Sequence, residues 1–350
     1  MPAPTHPAQA GTLPPDSSSS GPGYQTLTPQ AALQLAAPST WVASAWPVLV
    51  GGLAALALTA QASTRELTAV ATNLPFGSLH QPVLSLRMAV LWMLMLICAV
   101  AAQSAANTLN DYKDFIVGTD TEENCVDTTD ASIIYNHLEP RTARNLGLIF
   151  LGVALVAGVT AALMSTLWLL LLGGVGIVAL LSYSYGPSPV SYLPLGEVVS
   201  GLAFGLLITS ATFVALTRSW NWLLLLPCLQ QVISIGLIMM TNNVCDIERD
   251  KEAGRKTLPV LLGRKRTLAV LAVGNLLALL TLGVFALVLG GLYCLPVIVA
   301  CFFISRLLMR FSMMRFDAQD RPRAMQASTT LASVLAVTSC AVLLLYILWH

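Results

Sequence analysis

NTLNDYKDFIVGTD, residues 107–120, begins where a charge-free apolar run, Met88 to Ala106, ends. Asn107, Asp111 and Asp114 stand at i, i+4 and i+7, which on a helix is one face. A carboxylate face at the end of a membrane helix is costly to desolvate unless a cation lies against it. The chain repeats the device in TNNVCDIERDKEAGRKT, residues 241–257, again where an apolar run ends. There Asn242, Asn243, Asp246 and Asp250 carry the pattern. Two such sets predict one site, built from two helix ends, that holds divalent metal and whatever the metal holds.

Outward from these motifs the chain is apolar. Of its 350 residues 56% are hydrophobic and only 10% charged, and the mean hydropathy is +0.74. Soluble domains carry about 25% charged residues, so an integral membrane protein is expected. A net charge of +1 gives no reason to expect nucleic acid. Seven cysteines are scattered without a CxxC pair and read as small buried hydrophobes.

Residues 1–40 are rich in Pro, Ser, Gly, Ala, Gln and Thr and hold one charge, Asp16. Such a segment buries too little apolar surface to order itself, so a disordered tail is expected, followed by a transmembrane domain over 41–350. With the first cation at Arg65, a cleaved signal peptide is not expected. Nine apolar runs are long enough to span: 41–62, 88–109, 145–164, 166–184, 197–216, 221–243, 267–289, 291–308 and 328–349. The fold class is therefore all-α, a polytopic bundle of nine transmembrane helices. The breaks between runs three and four and between runs seven and eight fall at Ser165–Thr166 and Gly290–Gly291, where small residues permit tight hairpins.

With nine spans, 15 of the 18 Lys and Arg residues fall in the loops after helices 2, 6 and 8. Arg65, Arg87 and Arg218 fall on the other side. The positive-inside rule places the cation-rich face in the cytoplasm. Both acidic sets share that face, which predicts a multi-pass protein of the cytoplasmic (inner) membrane with its site open to the cytoplasm. Each half holds Asn-x-x-x-Asp, a second Asp, a long polar loop and a helical hairpin, a pattern that suggests internal duplication. Gly201 and Gly205 form a GxxxG pair suited to close helix packing.

Aspartates are hard oxygen ligands, and Mg²⁺ prefers one or two carboxylates together with water and substrate phosphate. Two facing carboxylate sets suit two Mg²⁺ ions with a diphosphate between them, because the metals invert the repulsive sign. Lys251, Arg255 and Lys256 add cations for phosphate. A diphosphate gripped at the lipid boundary suggests a substrate with a lipid tail. Polyprenyl diphosphates fit: their loss of diphosphate leaves an allylic cation, which a dry bundle shields from water.

At these residues the sequence resembles the UbiA family of membrane prenyltransferases, most closely its 1,4-dihydroxy-2-naphthoate polyprenyltransferases. The first motif, N-x-x-N-D-Y-x-D-x-x-x-G-x-D, is matched by Asn107, Asn110, Asp111, Tyr112, Asp114, Gly118 and Asp120. The second, N-N-x-x-D-I-x-x-D-x-x-x-G-x-x-T-L, is matched by Asn242, Asn243, Asp246, Ile247, Asp250, Gly254, Thr257 and Leu258. Gln103, one turn before Asn107, also matches. The resemblance implies a UbiA-like bundle, a polyprenyl diphosphate donor, Mg²⁺ as cofactor and an aromatic acceptor prenylated with loss of CO₂ to give demethylmenaquinone. It implies that Asn107, Asp111 and Asp114 hold one metal. Asp246 and Asp250, with Asn242 or Asn243, hold the other. Arg255 and Lys256 meet the diphosphate, with Asn110 and Lys113 beside them.

The chain departs from the family in three places, one of them Glu197, which stands where an Asp is expected. The first helix is preceded by Ala37-Pro38 instead of Arg-Pro. The loop TEENCVDTTDASIIYNHLEPR, residues 121–141, is acidic where typical members are basic, and its carboxylates read as a solvated face. In YSYGPSPVSYLPLGE, residues 183–197, Tyr183, Tyr185 and Tyr192 are candidates to position the acceptor ring, and Glu197 is a candidate base. The acidic loop leaves other acceptors open: 4-hydroxybenzoate, a dihydroxy-6-naphthoate, a tetrapyrrole. A cation-coupled transporter is the rival from another class, but transporters place ionisable groups near the midplane on broken helices, not at helix ends.

Overall fold

The computed structural model describes residues 23–64, 85–121 and 131–349. The acidic run Glu122, Glu123, Asp127 and Asp130 lies outside the described residues. Those described are helical nearly throughout, and eight helices among them are long and apolar enough to cross a membrane. In chain order the helices are α1 Pro29–Ala36, α2 Val42–Thr64, α3 Leu86–Val117, α4 Pro140–Met164, α5 Trp168–Ser184 and α6 Gly196–Thr217. There follow α7 Leu225–Cys245, α8 Ile247–Glu252, α9 Arg264–Leu289, α10 Leu295–Ser312 and α11 Arg321–Trp349. The fourth expected span is α5, whose 17 residues rise about 25 Å against a hydrocarbon layer of about 30 Å. The number of crossings turns on this helix.

The helices start and stop where local chemistry dictates. Ser85 and Thr28 accept N–H bonds at the heads of α3 and α1, and Pro occupies the first turns of α1 and α4, where its missing N–H is not needed. The two expected hairpin breaks are present. Helix α4 ends at Met164 and α5 begins at Trp168, and α9 ends at Leu289 before Gly290 at φ +141°.

Part of the segment expected to be a disordered tail is ordered: α1 buries Ala31, Leu35 and Ala36. The bulk composition of residues 1–40 masks a local helix signal, a Thr-Pro start before AALQLAA. This small apolar face packs with Ile133, Leu138 and Ala143, near Tyr112 and Phe115.

A large core joins α2, α6, α7, α9, α10 and α11, from Val50 and Phe213 to Leu271, Phe285, Leu335 and Tyr346. A second joins α2, α3, α4, α5 and α6 through Val48, Leu91, Met95, Ala161, Leu169 and Val214. Helix α6 is a π-helix over Gly201–Ile208. A Cβ at Gly201 would lie 2.5 Å from the Val232 carbonyl oxygen, and one at Gly205 would lie 2.3 Å from the Val232 nitrogen. The GxxxG pair thus seats α6 directly on the backbone of α7. Long apolar side chains of α4, such as Ile149, Val156 and Leu163, face outward, as lipid contact requires. The ends of α3, α7 and α11 meet at one end of the bundle, where Arg249 pairs with Asp120 and Arg321 bonds Asn242.

Candidate active site

The last turns of α3 are fixed from both sides. Gly118, at φ +77°, takes the left-handed conformation that ends the helix, and its N–H returns to the carbonyls of Asp114 and Phe115. Asn107 Nδ2 donates to the Ala36 carbonyl at 3.1 Å and to Thr40 Oγ1 at 3.0 Å. Gln103 Nε2 donates to the Thr40 carbonyl at 2.7 Å. The last residue of α1 and the segment after it therefore occupy the amide nitrogen of Asn107 and leave its oxygen free of that contact. Asn110 is engaged at both ends: Nδ2 donates to Asp114 Oδ2 at 3.0 Å, and Oδ1 accepts from Ser184 Oγ at 2.8 Å.

The second set comes from the break between α7 and α8. Asp246 sits at the break, and Asp250 follows one turn later, its N–H bonded to the Asp246 carbonyl at 2.8 Å. Gly254 at φ +70° reverses the chain, and the Arg255 N–H bonds back to the Asp250 carbonyl at 2.8 Å. That turn aims the Arg255 guanidinium across the site. It pairs with Asp114 of the first set and lies 3.8 Å from Asp250 of the second. Tyr192 lies beneath it, ring centroid 5.1 Å from Cζ. Thr257 Oγ1 donates to the other Asp250 oxygen at 3.0 Å.

Arg249 repeats the link, 3.8 Å from Asp120 and 3.6 Å from Asp246. Arg321, at the head of α11, stands 3.5 Å from Asp246 and donates to Asn242 Oδ1 from Nε at 3.1 Å and Nη2 at 2.8 Å. Burial pushes the Asp250 carboxyl up to about 6, against the opposing pull of Arg255 and the Thr257 hydrogen bond.

These groups line one end of a cavity of about 1010 Å³. Asn107, Asn110, Asp111, Asp114, Tyr183, Asn242, Asn243, Asp246, Asp250 and Arg255 all contribute to its wall. Most of its remainder is apolar, formed by α3, α4, α5 and α6 through residues such as Met95, Leu151, Leu172 and Phe204. A polar, charged portion continuous with a mostly apolar one suits an amphiphile with an anionic head and a hydrocarbon tail.

Six expected residues stand apart from the wall: Lys113, Tyr185, Tyr192, Glu197, Lys251 and Lys256. Lys251 is exposed, and Tyr185 donates its hydroxyl to the Leu109 carbonyl at 3.3 Å. Lys113 turns its ammonium toward the Tyr185 ring, 6.0 Å from the centroid. Lys256 is exposed and contributes its backbone N–H to the Tyr192 carbonyl at 3.0 Å. Tyr192 serves Arg255 and not the cavity. Tyr183 is in the wall and donates its hydroxyl to Met239 Sδ at 3.2 Å. Glu197, 3% exposed, accepts from Asn243 Nδ2 at 2.8 Å. Sequence reasoning gave Arg249 and Arg321 only a charge-distribution role. The i,i+3 spacing of Arg249 from Asp246 was the available signal for the first. Arg321 lies 79 positions from Asn242, and no local pattern connects them.

The donor set is hard: aspartate carboxylates and asparagine carbonyls. Among the described residues no three His, Cys, Asp or Glu side chains form a protein-only metal cage. The hard oxygen donors fit Mg²⁺, which takes one or two carboxylates per ion and completes its shell with water and phosphate oxygens.

The chain is similar to several known proteins. The model of the UbiA prenyltransferase family matches residues 80–334. A 1,4-dihydroxy-2-naphthoate octaprenyltransferase from Bacillus subtilis is 36% identical over 183 residues, which cover 52% of this chain and 58% of that one. The chain thus spans little more than half the length of that relative. A protein of the same name from Mycobacterium tuberculosis is 30% identical, with 61% of this chain and 73% of that one covered. Among solved structures, a UbiA homolog from Archaeoglobus fulgidus bound to GPP and Mg²⁺ superposes with a TM-score of 0.57 at 16% identity, over 89% of this chain and 99% of that one.

Proposed function

The chain belongs to the UbiA prenyltransferase family, and from that premise we propose that it is a multi-pass aromatic polyprenyltransferase of the cytoplasmic membrane. Its donor is a polyprenyl diphosphate and its acceptor 1,4-dihydroxy-2-naphthoate. The direct products are the prenylated 1,4-diol (the reduced, quinol form of demethylmenaquinone), diphosphate and CO₂. The observation that carries the reading is the convergence of two acidic sets on one cavity, with Arg255 spanning from Asp114 to Asp250. The names of the naphthoate relatives support the acceptor. The cation-rich loops at the site's end support a cytoplasmic opening.

Asn107, Asp111 and Asp114 would hold one Mg²⁺, and Asp246 and Asp250 the other. The ions supply charge neutralisation that turns diphosphate into a good leaving group. Arg255 meets the diphosphate oxygens with a planar fork that a lysine lacks. The apolar wall receives the prenyl chain and excludes water from the allylic cation. The donor C1–O bond breaks with its electron pair on the diphosphate, and the ring carbon bearing the carboxylate forms the new C–C bond. That carbon then sheds CO₂, whose electron pair restores the aromatic ring.

The test uses membranes from an overexpressing host, given Mg²⁺, polyprenyl diphosphate and a panel of acceptors, with products identified by mass. Diphosphate release with the naphthoate and a product lighter by CO₂ is expected. Release with another acceptor alone would replace the naphthoate, and no release with any acceptor would overturn the enzyme reading.

A further inference from the structure

The two motifs align as Asn-x-x-x-Asp, which makes Asn242 the counterpart of Asn107. The hydrogen bonds point elsewhere. An asparagine amide has two distinct ends, and a scaffold that takes one leaves the other for a ligand. A guanidinium can only donate. Arg321 holds Asn242 through Nε and Nη2, so the atom it holds is the carbonyl oxygen and the amide N–H groups remain. Glu197 Oε1 accepts from Asn243 Nδ2 at 2.8 Å, so the atom it holds is the nitrogen and the carbonyl oxygen remains. Both asparagines line the cavity.

We propose that Glu197 and Arg321 divide the adjacent asparagines by chemistry. Glu197 presents the Asn243 oxygen as the neutral ligand of the second metal. Arg321 presents the Asn242 N–H groups to the diphosphate. The inference rests on the metal–diphosphate reading above and deepens it. Asn107 follows the same logic in the first motif, with its nitrogen taken by Ala36 and Thr40. Glu197 is built for this task. It is buried, and its second oxygen, Oε2, has no hydrogen-bond partner among the described residues, so its hold on Asn243 is unshared. Its backbone is seated by Gly236, where a Cβ would lie 3.1 Å from the Glu197 carbonyl oxygen. Glu197 is thus a positioning residue that acts through Asn243, not the base that transfers a proton from the acceptor.

The experiment is Mn²⁺ titration of the purified full chain in detergent, read by electron paramagnetic resonance, with and without inorganic pyrophosphate. Asn243→Ala and Glu197→Ala should each weaken Mn²⁺ binding about 10–100-fold. The double variant should be no weaker than Asn243→Ala alone, because both act through one contact. Glu197→Gln keeps an acceptor oxygen for Asn243 and should restore most of the affinity. It also guards against misfolding of the alanine variant. Asn242→Ala should leave Mn²⁺ binding near that of the unaltered protein and weaken pyrophosphate binding about tenfold. Loss of Mn²⁺ affinity in Asn242→Ala but not in Asn243→Ala would overturn the division, as would additive effects of the Glu197 and Asn243 changes. Failure of the unaltered protein to bind Mn²⁺ at all would instead overturn the metal reading beneath it.

Discussion

Arg255 pairs with Asp114 across the cavity mouth, and the two residues come from opposite halves of the chain. The same guanidinium stands 3.8 Å from Asp250, so one cation couples both acidic sets. Removing one partner of a buried pair leaves the other uncompensated, at a cost of about 3–5 kcal/mol. Arg255→Ala should therefore lower the unfolding temperature in detergent as well as activity. Arg255→Lys retains the charge but not the span, and should raise the KM for the prenyl diphosphate more than it lowers stability. An Arg255→Ala protein with unaltered melting and KM would refute the coupling.

Asp111→Asn and Asp246→Asn each keep the shape of the side chain and remove the charge that would hold a metal. Each should reduce prenyl transfer by about 10²-fold or more, with insertion and helical content preserved by circular dichroism. Near-normal turnover of either variant would displace that residue from the metal set.

The Asp250 carboxyl, raised by burial to about 6, sets a pH dependence. Between about pH 4 and 6 the folded protein keeps a proton that the unfolded chain has released. Stability without divalent metal should thus fall as pH rises through that window. Metal competes for the same oxygens, so Mn²⁺ affinity should rise over the same range and fall about tenfold per pH unit below it. Asp250→Asn should flatten that slope, and an unchanged slope in the variant would assign it to another group.

Gly205 lies against the Val232 backbone, with room for no Cβ. Gly205→Ala must push α6 from α7 and should cost about 1–3 kcal/mol. Because α7 carries Asn242 and Asn243, and α6 begins with Gly196 and Glu197, activity should fall with stability. Thermal unfolding with parallel assays would expose a mismatch between the two.

The acidic motifs were legible because carboxylates at the ends of apolar runs have few bland explanations. Hydropathy located the helices, and both hairpin breaks fall at the small residues that marked them. The arginine partners were not legible. Arg249 and Arg321 look like ordinary topology charges until the fold brings them to Asp120, Asp246 and Asn242. Composition also misjudged the N-terminal segment, because averaging forty residues hides eight that form a helix. Lys113 and Lys256 were expected at the phosphate from the resemblance, yet neither lines the cavity: the Lys113 ammonium stands over the Tyr185 ring and Lys256 is exposed.

That small helix has a practical consequence. The Ala36 carbonyl and the Thr40 hydroxyl and carbonyl anchor Asn107 and Gln103. A shortened version starting at residue 41, the obvious place to trim for crystallisation, would retain every acidic motif and every long hydrophobic stretch. It would still set the Asn107 amide spinning in its socket, and could pass every test of insertion while failing at the chemistry.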